Sequence, residues 1–517
     1  MRYEFKMEPG EFWWGGTSDD GCAAPFTERT EISRDFRLSA PNQTMPMFLS
    51  SHGRCIWSEE PFGVEIREGC FFLEGEGVTL EKLGNTLAEA YRAAQAKHFP
   101  PRGEYLPEEF FTKPQYNTWM QYTYNPTQEG VMAYARSILA NGFAPGILII
   151  DEGWHKPYGT WEFDPVKFPD PGAMIRSLHE MGFVVMLWVV PYVRPDGVEF
   201  IKKYFPQFNS ESADQVFWRN ADGKIAITEW WNGFSATFDL TKKCDIDILD
   251  GQLSRLVRDY GVDGFKFDGG NLDHWTGAFT VNGPVDPAKT PAQLNLAWNE
   301  FGTRYRYHEY KDTFKGGGKR VIQRIMDRFH SWDNNGLNTL IPNAIQQGLL
   351  GHPFLCPDMI GGGSWTHREL NRPIDEELFV RMAQCSALFP MMQFSWAPWE
   401  AVSRENLVHI RAAHDLHIAF SGRMRRLIDD AYETGEPILR SLAYNYPGCG
   451  YEEIRDQFML GKEILVAPVV EKGAKIKKVY LPEGTWEGFD GKRYSGGTPV
   501  EIPVTIEILP YFTCISE

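Results

Sequence analysis

From about residue 113 the chain carries apolar runs that stop abruptly on charged residues, with helical patterns between them. Gly146–Trp154 (GILIIDEGW) and Val184–Val193 (VVMLWVVPYV) are such runs. A strand apolar on every residue is buried on both faces, which is the condition of a parallel sheet covered by helices. Between the runs, Thr127 is placed to cap a helix carrying Val131, Ala135, Ile138 and Leu139 on one face, with Asn141-Gly142 as its stop. Ala173–Met181 and Ile246–Tyr260 repeat the pattern and stop at Gly182 and Gly261. Candidate strands fall at about 114–122, 146–152, 184–192, 264–268, 320–327, 329–333, 353–360 and 388–396. Eight such units predict a closed (β/α)8 TIM barrel, and so an α/β fold; an open flavodoxin-like sheet is the alternative.

The flanks differ. Residues 1–110 read as short alternating strands and predict an N-terminal β-sandwich, closed by one helix around Thr79–Ala96. Within it, Trp13 and Trp14 are equally readable as an exposed loop or as core. The barrel is expected over 111–436. Residues 437–517 return to β patterns with Gly-rich turns and predict a C-terminal antiparallel β domain.

The chain has 517 residues and a net charge of −17, so a phosphate backbone or an anionic lipid surface is a poor partner. No run approaches the ~18 apolar residues of a membrane span. The start, MRYEFKMEPGEFWW, lacks an apolar signal core, and the expectation is a cytoplasmic protein. The eight cysteines include no C-x-x-C pair and read as reduced thiols. The oligomeric state stays open, a homo-oligomer included.

In a barrel the reactive groups stand at the C-terminal ends of the strands. Those ends carry Asp151-Glu152, Lys266-Phe267-Asp268, Asp327-Arg328, Asp333 and Asp358. A carboxylate directly after a buried run is costly unless paired or used. Several of them among Trp119, Trp154, Trp188, Trp231, Trp332, Trp365, Trp396 and Trp399 suit glycoside cleavage, in which one carboxylate attacks and another carboxyl protonates the leaving oxygen. The small carbohydrate would be the partner, and no cofactor or metal is required. Acids on successive strands can also hold Mg²⁺ beside Lys266 as base, a barrel lyase or isomerase. His414 and His417, on an outer helix, read as a solvated face rather than a zinc site. Gly316–Lys319 lacks the spacing of a P-loop, and there is no G-x-S-x-G.

Gly261–Asn271 (GVDGFKFDGGN) resembles the nucleophile region of glycoside hydrolase family 31. Trp161–Val193, Pro353–Gly363 (PFLCPDMIGGG), Phe389–Trp399 (FPMMQFSWAPW) and the block GKEILVAPVV are similar to further segments of that family. The resemblance implies a retaining α-glycosidase with Asp268 as nucleophile and Lys266 beside it. It implies Asp151 gripping remote hydroxyls, Trp188 and Trp396 lining the pocket, and Arg328 and Trp332 preceding the acid; Trp154, among the aromatics after the second strand, is expected as a further substrate contact. Asp358 is implied as a further binder. Around the acid the sequence departs from the family, with Ser331–Leu337 (SWDNNGL) in place of W-G-G-D or W-G-D. An ungapped match from Gly336 puts Asn334 at the acid, and Asp333 is the one carboxyl of that loop and the expected proton donor, with Asp358 as fallback. An impaired, sugar-binding relative stays open on the same ground. The branch marked by YGTWEFDPVKFPDP and NTLIPNAIQQGLLGHPF suggests α-galactosides first and α-glucosides second. The Q-…-R-x-x-W set expected for a sulfosugar is missing.

Overall fold

The computed structural model describes every residue except 206–215, 278, 287, 365, 367–369, 371 and 517. Trp365 therefore lies outside the described residues. Eight parallel strands close a barrel: β1 (Gln115–Asn117), β2 (Ile147–Ile150), β3 (Val184–Val189), β4 (Gly264–Phe267), β5 (Tyr307–Tyr310), β6 (Ile322–Arg324), β7 (Leu355–Cys356 and Met359–Ile360) and β8 (Gln393–Phe394). The ring closes because β7 is broken. Its first half pairs with β6 and its second with β8, which pairs in turn with β1. The break falls at Pro357, which has no N–H, and at Asp358, at φ +72°.

Two strand expectations fail. Residues 329–333 form no strand; Ser331 N–H turns back to the Phe329 carbonyl. The segment expected as the fifth strand is the sixth. The true β5 reads Tyr-His-Glu-Tyr, which is not apolar but is buried at all four positions. Its Glu309 points among other polar side chains of the barrel, with Gln393 Nε2 3.4 Å and Arg324 Nε 3.7 Å from its carboxylate. Periodicity could not find β5, because the barrel lumen there is polar.

The helices follow their stop signals. Thr127 Oγ1 accepts from Gly130 N–H at 3.1 Å, capping Gln128–Ala140, and Gly142 sits at φ +77° beyond it. Lys243–Tyr260 ends on Gly261 at φ +81°. His414 and His417 are not a solvated face. Both are buried, His414 Nε2 accepting from Ala144 N–H at 3.1 Å and His417 Nδ1 donating to Ala387 O at 3.0 Å.

Ahead of the barrel lie two antiparallel sheets. One orders Arg2–Lys6, Cys70–Glu74, Gly63–Arg67 and Ile32–Asp35. The other is built on Gln43–Ser50, Arg54–Trp57 and Thr79–Lys82, with Trp13–Thr17 along Gln43–Ser50. Trp13 and Trp14 are core, at 1% and 3% exposure. The expected Thr79–Ala96 helix is instead the strand Thr79–Lys82 and the helix Leu87–His98, capped by Thr86. Thr313–Phe314, just past β5, adds a parallel strand to the second sheet and ties it to the barrel. After the barrel come a six-stranded antiparallel sheet and a two-stranded one. Among the described residues, no helix is long and apolar enough to cross a membrane.

Candidate active site

At the C-terminal mouth of the barrel lies a cavity of about 270 Å³, lined by Asp151, Glu152, Trp188, Lys266, Asp268, Lys311, Arg324 and Asp327, with Trp119, Tyr124 and Trp231 also on its wall. Asp268 follows β4 directly. Its Oδ2 accepts from Trp188 Nε1 at 2.9 Å and its Oδ1 from the Gly269 N–H at 2.8 Å. Burial pushes its pKa up, but Lys311, Lys266 and Arg324 outweigh that and hold it below the usual carboxylate range. Lys266 Nζ lies 4.0 Å from Asp268 and donates to Asp151 Oδ2 at 2.7 Å, where Asn117 Nδ2 also donates.

Two more carboxyls face this cavity in opposite electrical settings. Asp327, three residues past β6, accepts from Lys311 Nζ at 2.6 Å and Arg324 Nη1 at 2.8 Å. Burial alone would raise its pKa; the two cations hold it far below normal. Glu152 meets neutral donors, the Tyr158 hydroxyl, the Asn232 amide and the Trp231 indole. Burial, then the charges of Asp151 and Asp268, push its pKa up to about 8. Glu152 therefore carries a proton at neutral pH while Asp327 does not.

The structure brings together Asp268, Asp151, Trp188 and Lys266 of the expected residues and places the others elsewhere. Asp333 stands on an exposed turn, where its Oδ1 accepts from Ser331 Oγ at 2.7 Å and the Asn335 N–H at 2.8 Å. It does not line the cavity, because the loop folds back on itself at Gly336 and the carboxylate caps its own turn. Asp358 is sealed behind the wall, accepting from Arg324 Nη1 at 2.5 Å and Arg328 N–H at 2.7 Å. Arg328 is fully buried and donates to Thr339. Trp332 donates to Asp375 Oδ2 at 3.0 Å. Trp154 lies behind Trp188, its Nε1 donating to the Trp188 carbonyl at 2.8 Å. Trp396 donates to the Met120 carbonyl at 2.9 Å and faces a separate shallow depression.

Lys311 and Arg324 were missed. Lys311 follows β5, the strand no apolar pattern betrays, and Arg324 ends β6 inside a segment expected to be apolar. Trp231 reaches the cavity from the tip of a hairpin, Thr228–Trp230 and Gly233–Thr237, inserted between β3 and β4. Among the described residues, the cavity carboxylates form no trio close enough to hold a metal ion; the one such group is Glu8, Glu11 and His52, in the N-terminal sheets.

Residues 111–416 match the family described as "Glycosyl hydrolases family 31 TIM-barrel domain", and 435–513 match its C-terminal domain. The chain is 30% identical to the myogenesis-regulating glycosidase of Mus musculus, over 84% of this chain and 60% of that one. It is 25% identical to alpha-glucosidase 2 of Bacillus thermoamyloliquefaciens, over 76% and 51%. The chain thus spans between half and two thirds of these relatives. In fold it is similar to a dextranase of Flavobacterium johnsoniae solved with glucose (TM-score 0.84, 19% identity, 99% of this chain and 66% of that one). It is also similar to a cycloalternan-degrading enzyme of Trueperella pyogenes solved with a covalent intermediate (TM-score 0.80, 19% identity, 99% and 77%).

Proposed function

The chain belongs to glycoside hydrolase family 31, and from that premise we propose that it is a retaining exo-α-glycosidase acting on small α-linked saccharides or glycosides. The carrying observation is Asp268, ionised among three cations and aimed by Trp188 and the Gly269 amide. Asp268 attacks the anomeric carbon as the bond to the leaving oxygen breaks, giving a glycosyl ester. Water then attacks that carbon, a base takes its proton, and Asp268 is released. The cycloalternan-degrading enzyme solved with a covalent intermediate supports this route. A cavity of about 270 Å³ suits a single ring, and hence cleavage from a chain end.

The proton donor is Asp327, six residues ahead of the expected Asp333 in the same segment. It faces the cavity from the opposite side of β4 to Glu152. A leaving oxygen inserted between Asp327 and Lys311 would displace one of the two cations that keep the carboxylate ionised, and the carboxyl would then take up a proton from solvent and pass it to that oxygen as the bond breaks. A second reading gives the donor role to Glu152, because that carboxyl already holds a proton. In the first reading, protonated Glu152 and the Asp151 side chain stand next to each other toward the far hydroxyls of the ring. Galactose-configured substrates come first and glucose-configured ones second, the latter supported by the name of the Bacillus relative. A cytoplasmic location is part of the same reading, supported by eight cysteines that are all free.

The test is release of nitrophenol from α- and β-aryl glycosides by wild type and Asp268→Asn, with the anomer of the first-formed sugar read by NMR. Activity on one α-glycoside, an α product, and loss of on the order of 10⁴-fold or more in the variant are expected. A β product, or an active Asp268→Asn enzyme, overturns the reading. Glu152→Gln sorts the two donors: as donor it would lose activity on poor leaving groups and keep it on nitrophenol, whereas as a ring contact it weakens both alike.

A further inference from the structure

A second and larger cavity, about 610 Å³, opens at the opposite end of the barrel. Its wall is made by Tyr305–His308, where β5 begins, by Lys319–Val321, just ahead of β6, and by the end of the Pro291–Phe301 helix. Arg102–Tyr105, arriving from the N-terminal sheets, closes the side. The walls are held firmly. Arg102 N–H donates to Gly318 O and Arg320 N–H to Arg102 O, each at 2.9 Å. The Arg320 guanidinium donates to Gly103 O at 2.8 Å and Tyr432 O at 2.7 Å, and lies 4.4 Å from the Tyr105 ring centroid.

The charge of this cavity runs against that of the chain. In a protein of net charge −17, five cations line it (Arg102, Arg304, Arg306, Lys319 and Arg320) against two carboxylates, Glu104 and Glu300. Among the described residues, neither Arg102 nor Arg306 has a carboxylate within ion-pair distance. Lys319 is the more telling member. It is 6% exposed, and its ammonium meets one carboxylate, that of the outward-lying Glu300, at 3.1 Å. Burying an ammonium beside the Arg102 guanidinium is costly unless an anion shares the space. Nothing in the glycosidase chemistry at the other mouth uses these groups.

We propose that this cavity is a binding site for a small molecule carrying more than one phosphate group. Arg102 and Arg306 supply planar forks for phosphate oxygens, Lys319 a point charge at the inner wall, and the exposed Tyr105 ring a flat apolar edge. The volume lies within the range of small-molecule sites. Each further phosphate adds charge-assisted hydrogen bonds to these cations, so affinity rises from phosphate to pyrophosphate to tripolyphosphate.

The experiment is calorimetric titration of the full chain with inorganic phosphate, pyrophosphate and tripolyphosphate, at ionic strength matched with sodium chloride. Thermal unfolding is followed in parallel. The expected result is one saturable pyrophosphate site per chain, weakened at least about tenfold in Arg102→Gln and in Arg306→Gln. Both side chains are exposed and lack a carboxylate partner, so both variants should keep the wild-type melting temperature without ligand. Glycosidase activity in the same variants stays at the wild-type level, which separates this site from the catalytic one. The proposal is overturned by an absence of saturable binding up to about 10 mM, by stabilisation that sodium chloride alone reproduces, or by binding unchanged in the double variant.

Discussion

Trp188 and Asp268 meet across the β3–β4 seam, where the register that pairs Trp188 with Lys266 brings the indole Nε1 to 2.9 Å from Asp268 Oδ2. One ladder thus positions Asp268, the proposed nucleophile, together with its indole donor and its cationic neighbour. Trp188→Phe keeps the aromatic wall and removes the N–H. The expected outcome is a fall in kcat of roughly 10–100-fold with little change in KM, since what is lost is alignment rather than binding. Steady-state kinetics on the best aryl glycoside checks it, and a change confined to KM would contradict the positioning role.

Glu152 makes the fold pH-sensitive in a stated direction. Its pKa is about 8 in the folded chain against an ordinary glutamate value of 4.5. Between those values the folded chain holds a proton that the unfolded chain has released. The stabilisation is therefore fully present below about pH 4.5 and is lost as the pH rises through about 8. Thermal unfolding from about pH 5 to 8.5 should show a declining melting temperature, and Glu152→Gln should flatten the decline. An identical slope in the variant would show that another group sets it.

The ion pair of Lys266 and Asp151 is buried on both sides, each side chain 3% exposed. Lys266→Met leaves Asp151 with the Asn117 amide and no cation. Removing one partner of such a pair costs about 3–5 kcal/mol, because the remaining charge is stranded. Chemical denaturation of Lys266→Met against wild type should show a loss of that order, and Lys266→Met with Asp151→Asn should recover part of it.

How much of this was legible depended on what each strand faces. β2, β3 and β4 were readable because Ile147–Ile150, Val184–Val189 and Gly264–Phe267 are buried on both sides by apolar neighbours, so their residue types announce them. β5 was not, because Glu309 faces Arg324 and Gln393 in a polar lumen and breaks the apolar signal; β6 was read as a strand but counted as the fifth. That blind spot moved the site. With β5 unseen, Lys311 had no strand end to belong to, and Asp327 seemed to belong to a fifth strand rather than a sixth. Asp268, Asp151, Lys266 and Trp188 were expected at the mouth and do line the cavity, because they sit at the ends of strands that were read correctly. Trp154, Trp332 and Trp396 show the opposite limit. Each indole N–H is tied to a carbonyl or a carboxylate away from the cavity, and residue type alone cannot tell a sugar platform from a pinned core ring.

Asp333 and Asp327 separate most sharply under mutation. The Asp333 carboxylate is exposed and serves only its own turn, so Asp333→Asn should leave kcat/KM within about twofold of wild type, with a stability change of about 0.5 kcal/mol or less. Asp327→Asn replaces a carboxylate set between Lys311 and Arg324 on the cavity wall. On a disaccharide, whose leaving oxygen needs a proton, the expected loss is about 10²–10⁴-fold; on a dinitrophenyl glycoside, which leaves unaided, formation of the glycosyl ester should be nearly normal. Its hydrolysis should then be slow, since the same group is needed as base, and a burst of phenol followed by a slow phase should appear. Added azide, which needs no base, should restore turnover and give the α-glycosyl azide. A burst in Asp333→Asn and none in Asp327→Asn would return the acid to the exposed loop and require that loop to close over the substrate.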